Sequence, residues 1–223
     1  MATVSKEDYL SVIFKNLDDK NEVKANVIAE KLSISNAAVT DMLKKLSNED
    51  LVIYEKYKSI KLTENGFLYA KNMVRRHRIW EMFLHQVVGI PWDKVHEEAE
   101  KLEHSSSDYL INKIEEMLNF PEFDPHGDPI PAKDLKLPKQ KKSVKLSLMK
   151  INQKGRVVRV NDFDNEFLSY ISKIGIELNA KLKVKEIREF DKSMHILVGN
   201  KDWNISQKIA DNIFIEIIDK GNL

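Results

Sequence analysis

Apolar side chains over residues 1–119 recur every three or four positions, which is the spacing of amphipathic helices. The pattern predicts helices over residues 5–17, around 27–32, over 36–47, from 64 to about 88, from near 91, and from about 106 to 119. Ser35 and Thr63 stand just before the third and fourth of these, where a hydroxyl can accept from a free backbone N–H. Between those two helices, the β-branched and aromatic run over residues 51–63 predicts a two-stranded hairpin.

The residue composition and the pattern of apolar positions change after residue 120. Five of the six prolines lie between Pro121 and Pro138, and seven lysines with one acid follow between Lys133 and Lys150. Proline at this density cannot continue a helix or a central strand, so the region reads as a domain boundary and tether. Beyond it, short alternating runs at 144–148, 155–160, 181–187, 194–198 and 214–218 predict a small β-barrel with a helix around 166–173.

Composition narrows the possible classes of protein. The chain has no cysteine, which excludes disulfides and thiolate metal sites and is consistent with a reducing cytoplasm. No run of 18 apolar residues exists and the N-terminus lacks an apolar signal segment, so we expect a soluble protein that is not exported. The net charge of +1 favours no particular partner.

Helix, short turn, helix and hairpin follow one another in the order of a winged helix-turn-helix. In this motif the second helix enters the major groove of DNA and the hairpin touches the adjacent backbone. Small residues at the start of that helix allow close approach, and nearby lysines can contact phosphates, although a solvated helix face is the plainer explanation for any lysine pair. The candidate DNA-binding residues are Ser35, Asn36, Ala37, Ala38, Thr40, Asp41, Lys44, Lys45, Lys56, Lys58 and Lys61.

The predicted helix that begins near residue 91 carries metal-ligand chemistry along one side. At about 100° per residue, His96, Glu100, Glu103 and His104 share a face. An apolar stripe beside them can hold the helix in the core, formed by Val95, Ala99 and Leu102. Two imidazoles and two carboxylates suit a divalent cation that accepts nitrogen and oxygen donors.

More ligand-type residues occur elsewhere, and each one alone is more often structural. His77 and Glu81 lie four residues apart on one helix face, a spacing that is usually a surface ion pair. Asp8 lies on the outer side of the first helix, and Asp124 and His126 flank a proline in the turn-rich region. Taken together, these residues strengthen the prediction of a metal site.

Four segments stand in the order and spacing of the diphtheria-toxin-repressor family, whose members are metal-dependent bacterial transcriptional repressors. They are Lys6-Glu-Asp-Tyr-Leu10, Arg76-His-Arg78, His96-Glu-Glu-Ala-Glu-Lys-Leu-Glu-His104 and Pro125-His-Gly-Asp-Pro-Ile-Pro131. The chain resembles in particular the manganese-responsive branch that keeps a C-terminal SH3-like domain. The resemblance covers most of the chain and is looser in the C-terminal barrel.

This resemblance implies a mostly α fold with small β parts. The implied domains are a winged helix-turn-helix at 1–72, a helical metal-binding and dimerisation domain at 73–131, a lysine-rich tether at 132–146 and an SH3-like (FeoA-like) domain at 147–223. It further implies a cytoplasmic bacterial homodimer that binds palindromic operator DNA when metal is bound and controls metal-ion uptake genes. Neither enzyme activity, a membrane nor a small organic substrate is expected. The expected dimer face is Leu102, Leu110, Ile114 and Leu118.

The family's metal sites carry over by position. The principal regulatory site would be Asp8, Glu100, Glu103 and His104, with His77 close by. In some members a second site uses His77, Glu81 and His96. In others it uses Glu81 with Asp124, His126 and an acid of the C-terminal domain, here Asp162, with Asp164 or Glu166 as alternatives.

Departures from the family pattern indicate the ion. Iron-responsive members have Cys at the position of Glu100 and Met at that of Asp8, and replacing sulfur by carboxylates favours Mn²⁺ over Fe²⁺. Zn²⁺ or Cd²⁺ could substitute in vitro. Some short manganese regulators have Glu where this chain has Ser11, so the paired two-metal cluster of those proteins is in doubt here.

Three other functions stay open at this point. The first is an iron-responsive repressor of the same family. The second is a metal-independent winged-helix regulator whose acidic stripe makes only ion pairs. The third is a metallohydrolase: His96 and Glu97 begin like a zinc-peptidase helix, but Glu100 stands where the second His belongs, which disfavours it.

Overall fold

The computed structural model describes residues 5–56, 58–162 and 164–218. Its N-terminal unit contains the helices α1 (Lys6–Lys15), α2 (Ala25–Leu32) and α3 (Asn36–Asn48) and the antiparallel strands β1 (Val52–Ile53) and β2 (Lys61–Leu62). The predicted order is confirmed, including the cap of α3, where the Ser35 hydroxyl accepts from the Ala38 N–H. Apolar faces of the three helices form one core, with Leu10, Ile13, Ile28, Leu43 and Leu46 fully buried.

The long helix α4 (Glu64–Phe83) runs from this unit into the next. Thr63 caps it as predicted, because its hydroxyl accepts from the Gly66 N–H at 3.0 Å. The predicted helix end near residue 88 is also confirmed, but the last segment, Leu84–Val88, is π-helical and is closed by Gly89 at φ 81°. Unlike an ordinary amphipathic helix, α4 buries polar side chains in its middle, namely Arg75, His77, Arg78 and Glu81.

Two shorter helices pack beside α4. Helix α5 (Val95–Glu103) begins four residues later than the predicted start near Pro91, because residues 92–94 form a turn. His104 is therefore the C-cap of α5, one position beyond the helix. Helix α6 (Asp108–Met117) is capped by the Ser107 hydroxyl.

The C-terminal unit is an antiparallel sheet of six strands in the order β3-β8-β4-β5-β6-β7. Its strands are β3 (Val144–Lys145), β4 (Lys154–Val160), β5 (Lys181–Ile187), β6 (Met194–Val198), β7 (Lys201–Ile205) and β8 (Ile213–Ile217). Helix α7 (Asn165–Lys173) covers the sheet core, confirming the predicted helix, and a short helix α8 (Gln207–Ala210) precedes β8.

Two local features of this unit differ from the sequence prediction. Strand β7 was not predicted, because this edge strand reads Lys-Asp-Trp-Asn-Ile and buries only Ile205 fully. The predicted strand over 144–148 is a strand only at Val144–Lys145, after which Leu146–Leu148 form a 3₁₀ turn.

A helix that crosses a membrane must be both long and apolar. None of the helices described here has both the length and the apolarity for it.

Candidate metal centre and nucleic-acid interface

The first cluster of ligand-type side chains joins α1 to the end of α5. His104 Nε2 lies 3.2 Å from Asp8 Oδ1 and 3.4 Å from Glu103 Oε1. Asp8 is held in place by a capping box, in which its Oδ2 accepts from the Ser5 N–H at 2.6 Å and the Ser5 hydroxyl accepts in return from the Asp8 N–H. One donor atom from each of Asp8, Glu103 and His104 lies within 4.8 Å of the others, a spacing that could hold an ion.

Glu7 orients the imidazole of this cluster. His104 Nδ1 donates to Glu7 Oε2 at 2.5 Å, and Glu7 Oε1 accepts from the Tyr69 hydroxyl at 2.8 Å. Burial and the hydrogen bond to Glu7 raise the pKa of Tyr69 to about 12, so its hydroxyl keeps its proton. Since Glu7 engages Nδ1, Nε2 on the side of Asp8 is the nitrogen that would coordinate an ion, in exchange for the proton that the neighbouring carboxylates favour there. Glu7 was not predicted, although it precedes Asp8 directly.

The second cluster lies inside the helical domain between α4 and α5. His77 Nε2 is 3.0 Å from both Glu81 Oε1 and His96 Nδ1, and His96 Nδ1 is 3.1 Å from the same Glu81 oxygen. His77 Nδ1 lies 2.5 Å from Glu103 Oε2. Glu103 therefore connects the first cluster to the second, and its side chain is nearly fully buried.

The third cluster shares Glu81 with the second and adds His126 and Asp162. His126 Nε2 lies 2.9 Å from the Trp92 carbonyl, which can only accept, so Nε2 carries the hydrogen and Nδ1 presents a lone pair. That Nδ1 is 3.9 Å from Glu81 Oε2, and both atoms are buried without a hydrogen-bond partner among the described residues. Two acceptors that face each other without a donor are the arrangement that a bound cation would satisfy. These residues thus fit a divalent metal.

The close approach of the proline-rich turn to β4 brings the third cluster together. The Val160 N–H donates to the His126 carbonyl at 2.9 Å. Gly127 has φ 90°, and a Cβ at this position would collide with the Val158 carbonyl oxygen, so only glycine fits between the turn and the strand. Asp162, two residues after the end of β4, is thereby placed beside the helical domain.

Asp124 holds the turn and lies outside the three clusters. Its Oδ1 accepts from the backbone N–H groups of His126 and Asp128, both at 2.9 Å, and its Oδ2 lies 3.4 Å from Arg78 Nε. Burial and the nearby Glu81 raise the pKa of Asp124 to about 7. Asp124 thus shapes the loop that carries His126, and because its Oδ2 is buried without a hydrogen-bond partner among the described residues, its role as a ligand stays a prediction.

Three other predicted acids also lie apart from the clusters. Glu100 is largely exposed and contacts His96 Nε2 at 3.4 Å. Asp164 caps α7, where its Oδ1 accepts from the N–H groups of Glu166 and Phe167. Glu166 is exposed. Of the three acids considered from the C-terminal domain, only Asp162 joins a cluster.

Buried charge gives the second cluster an unusual affinity for protons. Burial alone would lower the pKa of His96, but hydrogen bonds to Glu100 and Glu81 outweigh it and raise this pKa to about 10. The pKa of Glu81 is held well below its usual range by His77 and His96, against the effect of burial. Positive charge is therefore stabilised at this place in the fold, with protons supplying it.

The predicted DNA-reading helix presents its N-terminal end to solvent. Ser35 to Ala38 are exposed at the start of α3, whereas Val39 is buried and anchors the helix. Thr40 is half-buried, and its hydroxyl donates to the Asn36 carbonyl at 2.9 Å, which turns it from the outer face toward its own helix.

The predicted phosphate-contacting lysines differ in their partners. Lys44, Lys45, Lys56 and Lys58 are exposed, as is Asp41. Lys44 pairs with Asp41 at 3.3 Å and Lys58 with Glu55 at 2.5 Å, both on the surface, where such pairs contribute little and can exchange for phosphate. Lys61 pairs with Glu22 at 2.8 Å, so it is already neutralised by a neighbouring loop.

Sequence profiles of three domain families match the chain in succession. Residues 1–60 match the iron dependent repressor N-terminal DNA binding domain, residues 63–132 the iron dependent repressor metal binding and dimerisation domain, and residues 144–217 the FeoA domain. Curated relatives agree. The HTH-type transcriptional regulator MntR of Bacillus pumilus (strain SAFR-032) is 34% identical over 120 residues, which are 54% of this chain and 83% of that protein. The chain belongs to the iron-dependent repressor family.

Other members of the iron-dependent repressor family are similar over larger parts of the chain. MntR of Bacillus subtilis (strain 168) is 34% identical over 124 residues, 56% of this chain and 87% of that protein. A manganese-dependent transcriptional repressor in complex with manganese has 33% identity and a TM-score of 0.88, over 96% of this chain and 100% of that one. ScaR with bound Cd²⁺ has 32% identity and a TM-score of 0.82, over the same shares of the two chains. These matches confirm the predicted fold class and family.

Proposed function

We propose that this iron-dependent repressor homologue is a manganese-responsive transcriptional repressor that binds palindromic operator DNA as a homodimer. The observation that carries the proposal is the first cluster. It combines Asp8, from the unit that matches the DNA-binding domain, with Glu103 and His104 from the unit that matches the dimerisation domain. Some ninety residues separate the two parts of this site along the chain. An ion bound at this site would fix the position of the DNA-binding unit relative to the dimerisation unit.

The three clusters support regulation by a cation. A bound divalent ion would supply the positive charge that holds Asp8, Glu103 and His104 together. Glu7 orients His104 so that Nε2 faces Asp8, and Ser5 fixes Asp8 at the first turn of α1. With both units fixed, the two α3 helices of a dimer could be set about 34–36 Å apart, one turn of DNA.

Manganese is the ion that these donors favour. The first cluster offers carboxylate oxygens and imidazole nitrogen, and the chain contains no cysteine. Hard oxygen donors suit Mn²⁺, whereas sulfur ligands would favour softer ions. Relatives described as manganese-dependent support this choice. Two structures of ScaR, one with bound Cd²⁺ and one with bound Zn²⁺, indicate that other divalent ions can substitute. Fe²⁺ remains the alternative regulator.

A homodimer fits the exposed face of α6. Tyr109 and Met117 are 74% and 67% exposed, and Leu110 is 42% exposed, so this helix leaves an apolar surface uncovered. Ile114, predicted from the sequence as part of the dimer face, is instead 5% exposed and packs inside the protomer against α4. We propose that the dimer forms through Tyr109, Leu110 and Met117.

The remaining parts of the proposal follow from the family. We assign residues 1–72 to the DNA-binding domain, 73–131 to the metal-binding and dimerisation domain, 132–146 to the tether and 147–223 to the SH3-like domain. The protein acts in the bacterial cytoplasm on metal-uptake genes and is not an enzyme. This is supported by relatives that are transcriptional regulators.

Selection from a pool of random DNA duplexes tests the function and needs no chosen operator sequence. The purified protein is mixed with the pool once with Mn²⁺ and once with a chelator. We expect the Mn²⁺ arm to enrich one palindromic motif and the chelator arm to enrich none. Equal enrichment in both arms would overturn the metal dependence, and no enrichment in either would overturn the repressor assignment.

Metal binding is expected to release protons. Near neutral pH, His96 is protonated because its pKa is raised to about 10, and an imidazole nitrogen must lose its proton to become a ligand. Below this pKa, displacing the proton costs more free energy with each unit that the pH falls, so Mn²⁺ affinity should increase from about pH 6 to about pH 8.5. Calorimetric titrations in buffers of different ionisation enthalpy measure the release directly. An affinity and a heat that are independent of pH and buffer would contradict the assignment of His96.

A further inference from the structure

Glu81 belongs to both buried clusters and uses a different oxygen in each. Oε1 lies 3.0 Å from His77 Nε2 and 3.1 Å from His96 Nδ1. Oε2 faces the other way, 3.9 Å from His126 Nδ1. The side chain of Glu81 is fully buried, so water does not compete for either oxygen.

The lone pairs around each oxygen can be assigned from the hydrogen bonds. His77 Nδ1 faces the carboxylate of Glu103 at 2.5 Å and donates to it, so Nε2, 3.0 Å from Oε1, is the nitrogen that would coordinate once an ion displaces its proton. His126 Nε2 donates to the Trp92 carbonyl, which leaves Nδ1 with a lone pair beside Oε2. Each oxygen of Glu81 therefore has its own imidazole nitrogen beside it.

Each oxygen also has a third ligand. His96 Nδ1 completes the group around Oε1, and an Asp162 carboxylate oxygen completes the group around Oε2. The two groups adjoin, since His96 Nδ1 lies 3.9 Å from Asp162 Oδ2. Around Oε2 the need for a cation is plain, because Oε2 and His126 Nδ1 are both buried and lack any donor among the described residues.

We propose that Glu81 bridges two divalent ions, one at each of its oxygens, and so forms a buried dinuclear centre. The first ion is held by His77, Glu81 and His96, and the second by Glu81, His126 and Asp162. Paired ions in proteins lie about 3.5–4 Å apart, a distance that a carboxylate can span. This proposal rests on the proposed function for the identity of the ion, and the cluster at Asp8 stays a separate site.

Neighbouring acids offset the charge of two ions. Glu81 and Asp162 provide two negative charges within the centre. Glu103 contacts His77 directly, and Glu100 lies 3.4 Å from His96 Nε2. Four carboxylates thus balance two divalent ions, and the histidines can stay neutral. In this arrangement Glu100, which lies outside the first cluster, supplies negative charge beside His96.

Counting ions and measuring their magnetic coupling test the proposal on the full chain. Manganese per protomer is measured by equilibrium dialysis and elemental analysis, and Mn²⁺ EPR is recorded on the same samples. For the wild type we expect three ions per protomer, one for each cluster, and a spin-coupled signal from the pair that share Glu81. His126→Ala and Asp162→Asn should each lose one ion and the coupled signal. His85→Ala, at a histidine outside the clusters, should keep both.

The outcomes separate this proposal from the proposed function. Asp8→Ala should lose one ion and metal-dependent DNA binding. It should keep the coupled signal, because Asp8 belongs to the first cluster and not to the two clusters that share Glu81. Metal-dependent DNA binding with uncoupled Mn²⁺ would overturn the dinuclear centre alone. A coupled signal that survives both His126→Ala and Asp162→Asn would also overturn it. Coupled Mn²⁺ without any metal effect on DNA binding would overturn the proposed function and leave the dinuclear centre standing.

Discussion

Replacing Glu103 by alanine is expected to abolish metal-dependent operator binding. Glu103 contacts both the first and the second cluster, with Oε1 3.4 Å from His104 Nε2 and Oε2 2.5 Å from His77 Nδ1. The substitution removes a ligand from the first cluster and leaves His77 without its orienting carboxylate. Loss of an outer partner alone typically lowers metal affinity about 10–100-fold, so removing a ligand should lower it further.

The effect on DNA binding follows from the energy that switching requires. Shifting a two-state protein from 1:99 to 99:1 takes about 5.5 kcal/mol of differential metal affinity. If the ion can no longer join Asp8 to His104, most of that differential is lost, and the variant should behave in Mn²⁺ as the wild type does in a chelator. Fluorescence anisotropy with the selected operator, with and without Mn²⁺, measures this.

Glu98→Ala is the matched control. Glu98 lies on the same helix, is exposed, and pairs with Lys101 on the surface at 2.8 Å, so its loss should change neither metal nor DNA affinity. Two results would contradict the coupling: Glu103→Ala that responds to Mn²⁺ like the wild type, or wild type that binds the operator equally well in chelator. Circular dichroism of both variants confirms that each is folded.

The stripe on α5 shows how far the sequence reaches into this site. Helical spacing predicted that His96, Glu103 and His104 share one face of the helix, and the resemblance linked Asp8 to Glu103 and His104. Spacing alone could not show that the stripe faces two neighbours. Because α5 lies against α4 and also meets α1 at its C-terminal end, His96 turns to His77 while His104 turns to Asp8.

Contacts between distant segments set the remainder of the site. Glu7 orients His104 only because α1 packs against the end of α5, which no local pattern encodes. The resemblance preferred Asp162 to Asp164 and Glu166, and the contact of the Gly127 turn with β4 gives the physical reason why Asp162 lies beside Glu81 and His126. Likewise, only the fold shows that Asp124 shapes the turn through its backbone hydrogen bonds. Residue type and spacing identify candidates, whereas tertiary packing decides which of them meet.

Breaking a buried ion pair away from the metal clusters is expected to destabilise the helical domain strongly. Arg75 on α4 and Glu115 on α6 are 2% and 6% exposed, with Nη2 and Oε2 2.6 Å apart. Arg75 also donates to Asn112 Oδ1 at 2.9 Å. Glu115→Ala leaves the guanidinium buried without its counter-charge, and we expect a loss of about 3–5 kcal/mol in the free energy of unfolding.

Glu116→Ala is the control for this substitution. Glu116 is the next residue on α6 but lies on the surface, where it pairs with Lys113 at 2.7 Å. Removing an exposed pair of this kind should change stability by less than about 1 kcal/mol. Urea unfolding of both variants is measured without metal and at one protein concentration, because bound ions and dimerisation both raise apparent stability. Similar midpoints for the two variants would contradict the expected cost.

A double substitution separates the cost of an unpaired charge from the value of the pair. Arg75→Met with Glu115→Leu removes both charges and fills the same space with apolar side chains. Replacing a buried ion pair in this way is often neutral or stabilising, so we expect the double variant to unfold near the wild-type midpoint or above it. Recovery of stability would show that Arg75 and Glu115 fix how α4 packs on α6 more than they hold the domain together. A double variant as unstable as Glu115→Ala would instead show that the pair itself stabilises the fold. Because α4 also carries His77 and Glu81, Mn²⁺ affinity of the stable double variant then reports whether this packing positions the metal ligands.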